Sequence, residues 1–309
     1  MKQKVLVTGG SGMVGRHLQD LKFDAEYIGT KDCDLTNSND TEKLFKKIKP
    51  DVVIHLAARV GGIMDNIKNP VAYLEDNISI NSNTIRYAYA NKCERFVGIL
   101  STCIYPDKLE DSLYPLSESN LHDGLPPKSN FSYAYAKRCM DVHIKSYRSQ
   151  YGLKYSSIIP CNLYSEYDHF GQEKSHFVTS IISKIVQAKI NNTNKIELFG
   201  TGTPLRQFMY AGDLARAIAQ YIESDYCEDF NVATNEVYTI SQIAKIVLDA
   251  CDASDMEIVW DKNRPDGQFR KDASDKKFKS MFPNFQYTSL YDGVKKTYNT
   301  YYEMVTKRI

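Results

Sequence analysis

A glycine-rich segment near the start of the chain constrains the fold more than any other feature. The apolar run at 4–9 (KVLVTG) leads into the segment 8–15 (TGGSGMVG), which places glycines at a G-x-x-G-x-x-G spacing. Glycine permits a tight turn and a close approach of a ligand to the backbone, and the start of a helix offers unpaired N–H groups. The order of strand, glycine turn and helix therefore predicts a phosphate-binding turn of the kind that holds a dinucleotide.

The rest of the first half alternates short apolar runs with segments of helical periodicity. We predict strands at 4–9, 26–29, 52–57, 95–101 and 155–160 and helices at 41–49, 70–91 and 133–151. Near-continuous apolar strands are typical of a sheet that is covered on both faces, and their alternation with helices is typical of parallel strands. The sequence therefore predicts an α/β fold with a Rossmann-type, doubly wound parallel sheet.

After about residue 165 the pattern changes to longer helical segments separated by short strands. Helical periodicity runs over 175–189, 212–224, 239–251 and 287–303, and strands are predicted at 195–200 and 230–233. We predict a dinucleotide-binding Rossmann domain over 1–165, to which some later segments return, and a smaller α/β C-terminal lobe over 166–309 that mainly binds substrate. Because ligands of such sheets bind at the carboxyl ends of the strands, we expect the cleft to lie between the two parts.

The composition argues against several classes of protein. The chain has 39 Lys and Arg against 38 Asp and Glu, so it has no overall field that would attract nucleic acid or an anionic membrane. No segment approaches the ~20 apolar residues of a membrane helix, and the first apolar run is too short for a signal peptide, so we expect a cytoplasmic protein. The seven cysteines are scattered without a C-x-x-C pair, which argues against a disulfide framework and against a metal site.

The glycine turn and the ends of the next two strands supply the candidate cofactor contacts. An NAD site usually has an acid at the end of the second strand, whereas this chain has Lys31 there. Lys31, with Arg16, can pair with a 2′-phosphate, which favours NADP; for Lys31 alone, a solvated loop lysine is an equally good interpretation. We expect Asp34 and Leu35 to flank the adenine. The candidate NADP contacts in these segments are Gly9, Gly12, Met13, Val14, Gly15, Lys31, Asp34, Leu35, Leu56, Ala57 and Ala58.

A tyrosine and a lysine four residues apart supply candidate reducing chemistry. Tyr133 and Lys137 project from one face of a predicted helix, and Ser101 ends the fourth predicted strand. A lysine close to a phenol favours the phenolate, which lowers the tyrosine pKa toward the range of a general acid. We therefore expect Ser101 and Tyr133 to hold a ketone oxygen, and Tyr133 and Lys137 to contact the cofactor as well.

Several motifs are spread over nearly the whole chain: TGGSGMVG, HLAARVGG, LSTCIYP, NFSYAYAKR, the NLY of PCNLY, the SH of KSHFV, FGTGTPLRQFMY and RPDGQFRK. Together they resemble the GDP-L-fucose synthase branch of the extended short-chain dehydrogenase/reductase family. The resemblance implies an NADP-dependent enzyme that converts GDP-4-keto-6-deoxy-D-mannose to GDP-L-fucose by 3,5-epimerisation and 4-reduction. It also implies a homodimer with a four-helix interface formed by 70–91 and 133–151.

The resemblance assigns reduction to Ser101, Tyr133 and Lys137 and adds Cys103 and His176 as an acid–base pair. A ketone at C4 acidifies the hydrogens on C3 and C5, because the groups that hold its oxygen also stabilise an enolate. If the strand is still extended at 103, Cys103 shares a face with Ser101. Without the resemblance, Cys103 is more often a core thiol and His176 a helix N-terminal residue. The implied contacts of the nucleotide sugar are Asn162, Lys184, Phe199, Arg206 and Lys271, of which Arg206 suits a pyrophosphate.

One segment departs from the family pattern and leaves alternatives open. Where the family continues from N-L-Y with G-P-H-D-N, this chain has S-E-Y-D-H at 165–169, and we expect Glu166 to add an acid beside the sugar pocket. One alternative is a C4 reductase, without epimerase activity, of a related GDP-4-keto sugar such as a heptose of capsular polysaccharide synthesis. Another is a non-catalytic NADP-sensing protein. A 4,6-dehydratase normally needs an acid–base pair beside the serine, and Thr102 and Cys103 supply no carboxylate.

Overall fold

Strands and helices alternate through the described residues, 3–171, 175–264 and 266–307, of this computed structural model. The strands are β1 (Val5–Thr8), β2 (Glu26–Ile28), β3 (Val52–His55), β4 (Arg95–Ile99), β5 (Lys154–Pro160), β6 (Asn162–Tyr164), β7 (Lys195–Phe199), β8 (Leu205–Arg206), β9 (Phe208–Tyr210), β10 (Phe230–Val232), β11 (Tyr238–Thr239) and β12 (Glu257–Asp261). The α-helices are α1 (Met13–Asp20), α2 (Ser38–Ile48), α3 (Ile63–Lys68), α4 (Pro70–Ala90), α5 (Phe131–Tyr151), α6 (Phe177–Ile190), α7 (Ala211–Glu223), α8 (Ile240–Ala250), α9 (Lys276–Met281) and α10 (Leu290–Thr306). None of the helices in these ranges is long and apolar enough to cross a membrane.

Six parallel strands form the central sheet, in the order β2–β1–β3–β4–β5–β10. The chain moves outward in one direction from β1 to β2 and in the other direction from β3 onward. The carboxyl ends of β1 and β3 therefore form the topological switch point, where ligands of doubly wound sheets bind. The predicted α/β fold with a doubly wound parallel sheet is confirmed.

Both faces of the sheet are covered, as the near-continuous apolar strands predicted. Val5 and Val7 of β1 pack on one face in a cluster with Leu214 of α7. Leu6, between them, packs on the opposite face with Phe45 of α2. This alternation follows from the two-residue period of a strand. Because both faces of the sheet are covered, every residue of β1 is buried.

A separate apolar cluster forms the core of the C-terminal part of the chain. It joins α6, α8 and α10 through residues such as Ile182, Val247 and Val294, with the parallel pair β7 and β12 beside it. Strand β10 joins the central sheet next to β5, and α9 packs with the same sheet. The division at residue 165 stays a prediction.

Two element ends differ from the sequence prediction for local reasons. Helix α2 begins at Ser38 rather than at 41, because the Asn37 side chain accepts hydrogen bonds from the N–H groups of Asn39 and Asp40. Strand β4 ends at Ile99 rather than at 101, because the chain turns there into a short 3-10 helix over Thr102–Ile104. The second difference changes how the candidate active site is built.

Candidate active site

The glycine turn lies at the carboxyl ends of β1 and β3. Gly9 has a φ of +73°, and a Cβ on it would lie 2.7 Å from the backbone nitrogen of Ala57. A Cβ on Gly15 would lie 2.6 Å from the Cα of Gly10, so a side chain there would separate α1 from the turn. Both positions therefore require glycine, one for its φ and both for the close approach of another backbone segment.

The first turn of α1 presents backbone N–H groups to this crevice. Gly12 is its N-cap and has no side chain, Met13 and Val14 follow, and this turn of the helix contains no acidic residue. The positive end of the helix dipole is therefore not neutralised locally, which suits an anion. Residues 56–58, which follow β3, are half-buried beside the turn.

Lys31 lies in the exposed turn after β2, next to the glycine turn. The two turns are tied together because the Gly10 N–H donates to the carbonyl of Ile28 at 2.7 Å. The nearby acid, Asp32, accepts a hydrogen bond from the Gly29 N–H at 2.8 Å. Its carboxylate is thus engaged by the backbone of its own turn, and the Lys31 side chain is exposed in the same turn.

The other candidates on the adenine side have different environments. Asp34 is exposed, and its carboxylate accepts hydrogen bonds from the N–H and the hydroxyl of Thr36. Leu35 is buried in the apolar cluster under α2, so its side chain is a core contact. The Arg16 guanidinium lies over the Tyr167 ring, 4.4 Å from the centroid.

Ser101, Tyr133 and Lys137 are brought together at the end of β4. Lys137 is 2% exposed, and its Nζ donates to the carbonyl of Ile99 at 2.7 Å. The same Nζ lies 6.0 Å from the centroid of the Tyr133 ring. The Ser101 Oγ accepts a hydrogen bond from the Cys103 N–H at 3.3 Å, which places the serine beside the thiol.

The pKa values of this trio differ from the sequence expectation. Burial raises the pKa of Tyr133 well above its usual value, and the nearby Cys103 and Tyr73 raise it further. Burial also lowers the pKa of Lys137 to about 7. The expected lowering of the Tyr133 pKa by Lys137 is therefore wrong for this arrangement, because the ammonium is bonded to a backbone carbonyl and does not touch the phenol.

Cys103 reaches the site from a 3-10 helix and not from a strand. The condition of an extended strand at this position is not met, since the chain turns at Ser101 into the helix Thr102–Ile104. The thiol is still directed toward the cleft residues, because Lys271 Nζ donates to its Sγ at 3.5 Å. Burial alone raises the pKa of Cys103, but the charges of Lys271 and Arg206 and hydrogen bonds from Ser101 and Lys271 bring it below its usual value.

His176 is the N-cap of α6 and is paired with a buried carboxylate. Its Nδ1 lies 2.9 Å and 3.0 Å from the two oxygens of Asp168, whose side chain is 1% exposed. The Thr179 hydroxyl also donates to Asp168. Burial alone lowers the pKa of His176, but the hydrogen bond and charge of Asp168, with the charge of Cys103, raise it above its usual value. This pairing leaves Nε2 as the ring nitrogen available to a ligand.

Lys184 and Phe199 are in contact, and Arg264 lies over the same ring. The exposed Phe199 ring has Lys184 Nζ and the Arg264 guanidinium each 5.1 Å from its centroid. Cations over an aromatic face are attracted by its π-electrons. An exposed ring flanked by two cations suits a nucleotide. Arg264 was missed, although it begins the RPDG motif that carried part of the family resemblance.

Arg206 is engaged by the protein itself. Its guanidinium donates to the backbone carbonyls of Leu205, Gln268 and Phe269. The sequence suggested that this guanidinium binds a pyrophosphate. In the structure it instead fixes the backbone segment around Gln268. Its charge still acts on Cys103.

Lys271 and Asn162 lie next to the thiol. Lys271 is 8% exposed, and its Nζ donates to the Asn162 Oδ1 at 3.1 Å as well as to Cys103. The Asn162 Nδ2 donates to the carbonyl of Gln207 at 2.8 Å. Lys271, expected among the contacts of the nucleotide sugar, thus contacts the Cys103 thiol and Asn162, another of the expected sugar contacts.

Two positioning contacts were missed by sequence reasoning. Asp168 stands where the family pattern G-P-H-D-N has its aspartate, so a signal for it was present. Tyr73 packs edge-on against Tyr133 with ring centroids 6.3 Å apart, and its hydroxyl donates to Asp65 at 2.6 Å. No local signal separates Tyr73 from an ordinary core tyrosine. Within the ranges that the structure describes, no group of three or more His, Cys, Asp or Glu is arranged to hold a metal ion.

Glu166 does not face a sugar pocket as the sequence suggested. The Tyr210 hydroxyl donates to its two carboxylate oxygens at 2.8 Å and 2.9 Å, and Lys296 Nζ lies 3.5 Å away. The side chain is 6% exposed. The expectation is wrong because the chain turns this residue inward between β9 and α10, where its charge is paired.

Comparisons with known proteins identify the family of this chain. The model of the NAD dependent epimerase/dehydratase family matches residues 5–233. The chain is 37% identical to a probable GDP-L-fucose synthase of Drosophila melanogaster, over 97% of this chain and 98% of that protein. It is 36% identical to a GDP-L-fucose synthase of Dictyostelium discoideum, over 96% and 94% of the two chains. A crystal structure of a GDP-L-fucose synthetase from Naegleria fowleri bound to NADP matches with a TM-score of 0.89 at 33% identity, over 99% and 94% of the two chains. This chain therefore belongs to the NAD dependent epimerase/dehydratase family, in the branch of the GDP-L-fucose synthases, as its motifs predicted.

Proposed function

We propose that this protein converts GDP-4-keto-6-deoxy-D-mannose to GDP-L-fucose by 3,5-epimerisation and NADPH-dependent reduction at C4. The relatives that are named GDP-L-fucose synthases and align with nearly the whole chain support this activity. The observation that carries it is the pair Cys103 and His176. The lowered pKa of the thiol suits a base, and the raised pKa of the imidazole suits an acid, beside Ser101 and Tyr133.

NADP fits the glycine turn and the residues around it. Gly9 and Gly15 leave no room for a Cβ, and the first turn of α1 offers N–H groups without a competing acid. Lys31 is exposed beside the turn, where it would meet a 2′-phosphate. The NADP-bound relative from Naegleria fowleri supports the same cofactor. When bound, NADPH supplies the hydride for the ketone carbon.

The chain's own contribution to reduction is the proton on oxygen. Ser101 and Tyr133 hold the C4 ketone oxygen, and Tyr133 transfers its hydroxyl proton to that oxygen as the carbonyl is reduced. Its raised pKa keeps the phenol protonated at neutral pH, as a general acid requires. Lys137, whose pKa lies at about 7, donates to the Ile99 carbonyl and so holds the end of β4 beside the Tyr133 ring.

Epimerisation uses the same oxygen with a different pair. Cys103 as a thiolate takes the proton from the carbon next to the ketone. The electrons of the broken C–H bond form a C=C bond, and the carbonyl oxygen becomes an enolate oxygen held by Ser101 and Tyr133. His176, protonated and oriented by Asp168, returns a proton to the opposite face of the carbon and so inverts it.

The alternative of a C4 reductase without epimerase activity has less support. Reduction alone gives no use to a thiol and an imidazole whose pKa values are shifted in opposite directions. The sequence reason for a different sugar was an acid beside the pocket, and Glu166 is instead paired with Tyr210 and Lys296. The intact set of Ser101, Tyr133 and Lys137 also argues against a non-catalytic NADP sensor.

Deuterium incorporation tests the proposal directly. The wild-type protein is incubated with GDP-4-keto-6-deoxy-D-mannose in D2O without NADPH, and the sugar is examined by mass spectrometry and NMR. We expect deuterium at C3 and C5, with NADPH consumption and GDP-L-fucose formation once NADPH is added. A control without protein measures spontaneous exchange. A sugar that is reduced but not labelled above this control would reject epimerisation and favour the plain reductase.

The proposal includes a cytoplasmic homodimer. Helices α4 and α5 carry exposed apolar side chains, among them Val71, Ile78 and Val142, which favours burial in a four-helix interface with a second copy. Sedimentation velocity is expected to show a dimer for the wild type and a monomer for Val142→Asp. Val259→Asp, a matched change of an exposed valine on β12, should leave the dimer intact. A monomeric wild type would reject the interface.

A further inference from the structure

Lys271 is a buried ammonium with an unusual set of partners. It is 8% exposed, and its Nζ donates to Cys103 Sγ at 3.5 Å and to Asn162 Oδ1 at 3.1 Å. Among the residues described by the structure, no carboxylate forms an ion pair with it. A buried charge is costly unless it is paired, so a lysine in this position favours a negative charge on whatever it contacts. Of its two partners, only the thiol can become an anion.

Lys271 is placed by a chain of hydrogen bonds. Asn162 directs its oxygen at Lys271 because its Nδ2 donates to the carbonyl of Gln207 at 2.8 Å. The Gln207 side chain in turn accepts from the N–H of Ala273 at 2.9 Å and donates to the carbonyl of the same residue at 3.1 Å. These bonds fix the segment that carries Lys271. Because Asn162 is a neutral partner, the ammonium stays in place whether or not the sulfur is charged.

The other groups that act on Cys103 cannot replace this contact. The Arg206 guanidinium donates to backbone carbonyls, and His176 is paired with Asp168. Tyr133 is a neutral phenol at ordinary pH because burial raises its pKa. Lys271 is therefore the charged group in direct contact with the sulfur.

We propose that Lys271 is the positioning residue of the proton-transfer site, and that its ammonium holds the Cys103 sulfur as a thiolate ready to take a proton from the substrate carbon. The proposal rests on the proposed function for the identity of that carbon. When Cys103 takes the proton, the C–H electron pair moves into the C=C bond of the enolate. Lys271 then faces a neutral thiol and keeps Asn162 as its partner. The lysine thus acts through the cysteine and does not touch the reacting carbon.

The test is the pH dependence of Cys103 alkylation by iodoacetamide, followed on the Cys103 peptide by mass spectrometry in the full-length protein without substrate. Thiolates react and thiols do not, so the midpoint reports the thiol directly. We expect Lys271→Met to raise this midpoint by about one to three pH units, the shift that an opposite charge in contact produces. Lys271→Arg should restore most of the difference. Lys189→Met removes a lysine that donates to the Cys251 carbonyl and should leave the midpoint unchanged.

A folded Lys271→Met protein, checked by circular dichroism and NADP binding, with an unchanged midpoint would overturn the proposal. If Lys271→Met does not fold, Lys271→Gln takes its place: it keeps a polar side chain beside Asn162 and removes the charge, and an unchanged midpoint there would overturn the proposal equally. Deuterium exchange separates this inference from the proposed function. A wild type that exchanges no deuterium rejects the function, whereas Lys271→Met with wild-type exchange rejects only the role of Lys271.

Discussion

The reducing half and the proton-transfer half of the candidate active site are built in different ways. In the reducing half, close backbone contacts at Gly9 and Gly15 and the burial of Lys137 against a carbonyl set the geometry. In the proton-transfer half, two charged contacts set it: Lys271 on Cys103 and Asp168 on His176. The first half is part of the scaffold, whereas the second depends on single ionic partners. One substitution should therefore abolish proton transfer and leave the reduction in place.

The largest effect is expected for Tyr133→Phe, because both reactions use the oxygen that this hydroxyl holds. NADPH oxidation should fall by roughly 10²- to 10⁴-fold, since a general acid is lost. Deuterium exchange should fall by roughly 10²-fold, because the enolate keeps Ser101 but loses one donor. Tyr135→Phe is the matched control. Tyr135 lies two residues after Tyr133 on the same helix, and its ring packs on Phe131. Near-normal reduction by Tyr133→Phe would contradict the assigned acid.

Cys103→Ala should separate the two halves. Deuterium exchange at C3 and C5 should fall by roughly 10²-fold or more, because the base is lost. NADPH oxidation should fall less than about tenfold, since Ser101, Tyr133 and Lys137 are intact. Both rates are measured on one protein preparation. Cys139→Ala, which removes an exposed thiol on α5, is the control. If both rates fell together, the two halves would not be independent.

The sequence could group the residues of the reducing half because their arrangement depends on local geometry. A strand, a glycine turn and a helix follow one another within 4–15, and Tyr133 and Lys137 lie one helical turn apart. The contact of Lys271 with Cys103 joins positions 168 residues apart, and no local pattern encodes it. The prediction that Glu166 lies beside the sugar pocket was wrong for the same reason, since its partner Tyr210 belongs to β9, far from it in the sequence.

A smaller effect is expected for Asp168→Asn, which keeps the shape and removes the charge beside His176. Asp168 raises the pKa of His176, so the neutral amide should lower the pKa of this imidazole. At a pH above the lowered pKa, a smaller fraction of the imidazole is then protonated. The high-pH limb of the exchange profile should move to lower pH by about one unit. At pH 8 this means roughly tenfold slower exchange, with little change in NADPH oxidation.

A matched variant shows whether the loss of any partly buried ion pair has this effect. Asp229 accepts two hydrogen bonds from Arg148 and lies away from the acid–base pair in the chain and in its contacts. Asp229→Asn should lower the melting temperature and leave the exchange profile where it is. If Asp168→Asn changed only stability, the carboxylate would serve the fold and not the imidazole.

The smallest effect is expected for Lys31→Ala, because an exposed charge pair contributes little in water. The KM for NADPH should rise roughly twofold to fivefold, while kcat and the KM for NADH stay the same. Lys43→Ala removes another exposed lysine, on α2, and should change neither constant. Arg16→Ala should also leave the ratio of the two KM values unchanged, since the guanidinium lies on Tyr167. If Lys31→Ala left the ratio of the KM values for NADPH and NADH unchanged, the preference for NADP would depend on the shape of the glycine turn and not on this charge. The reducing half of the site would then rest on backbone geometry alone.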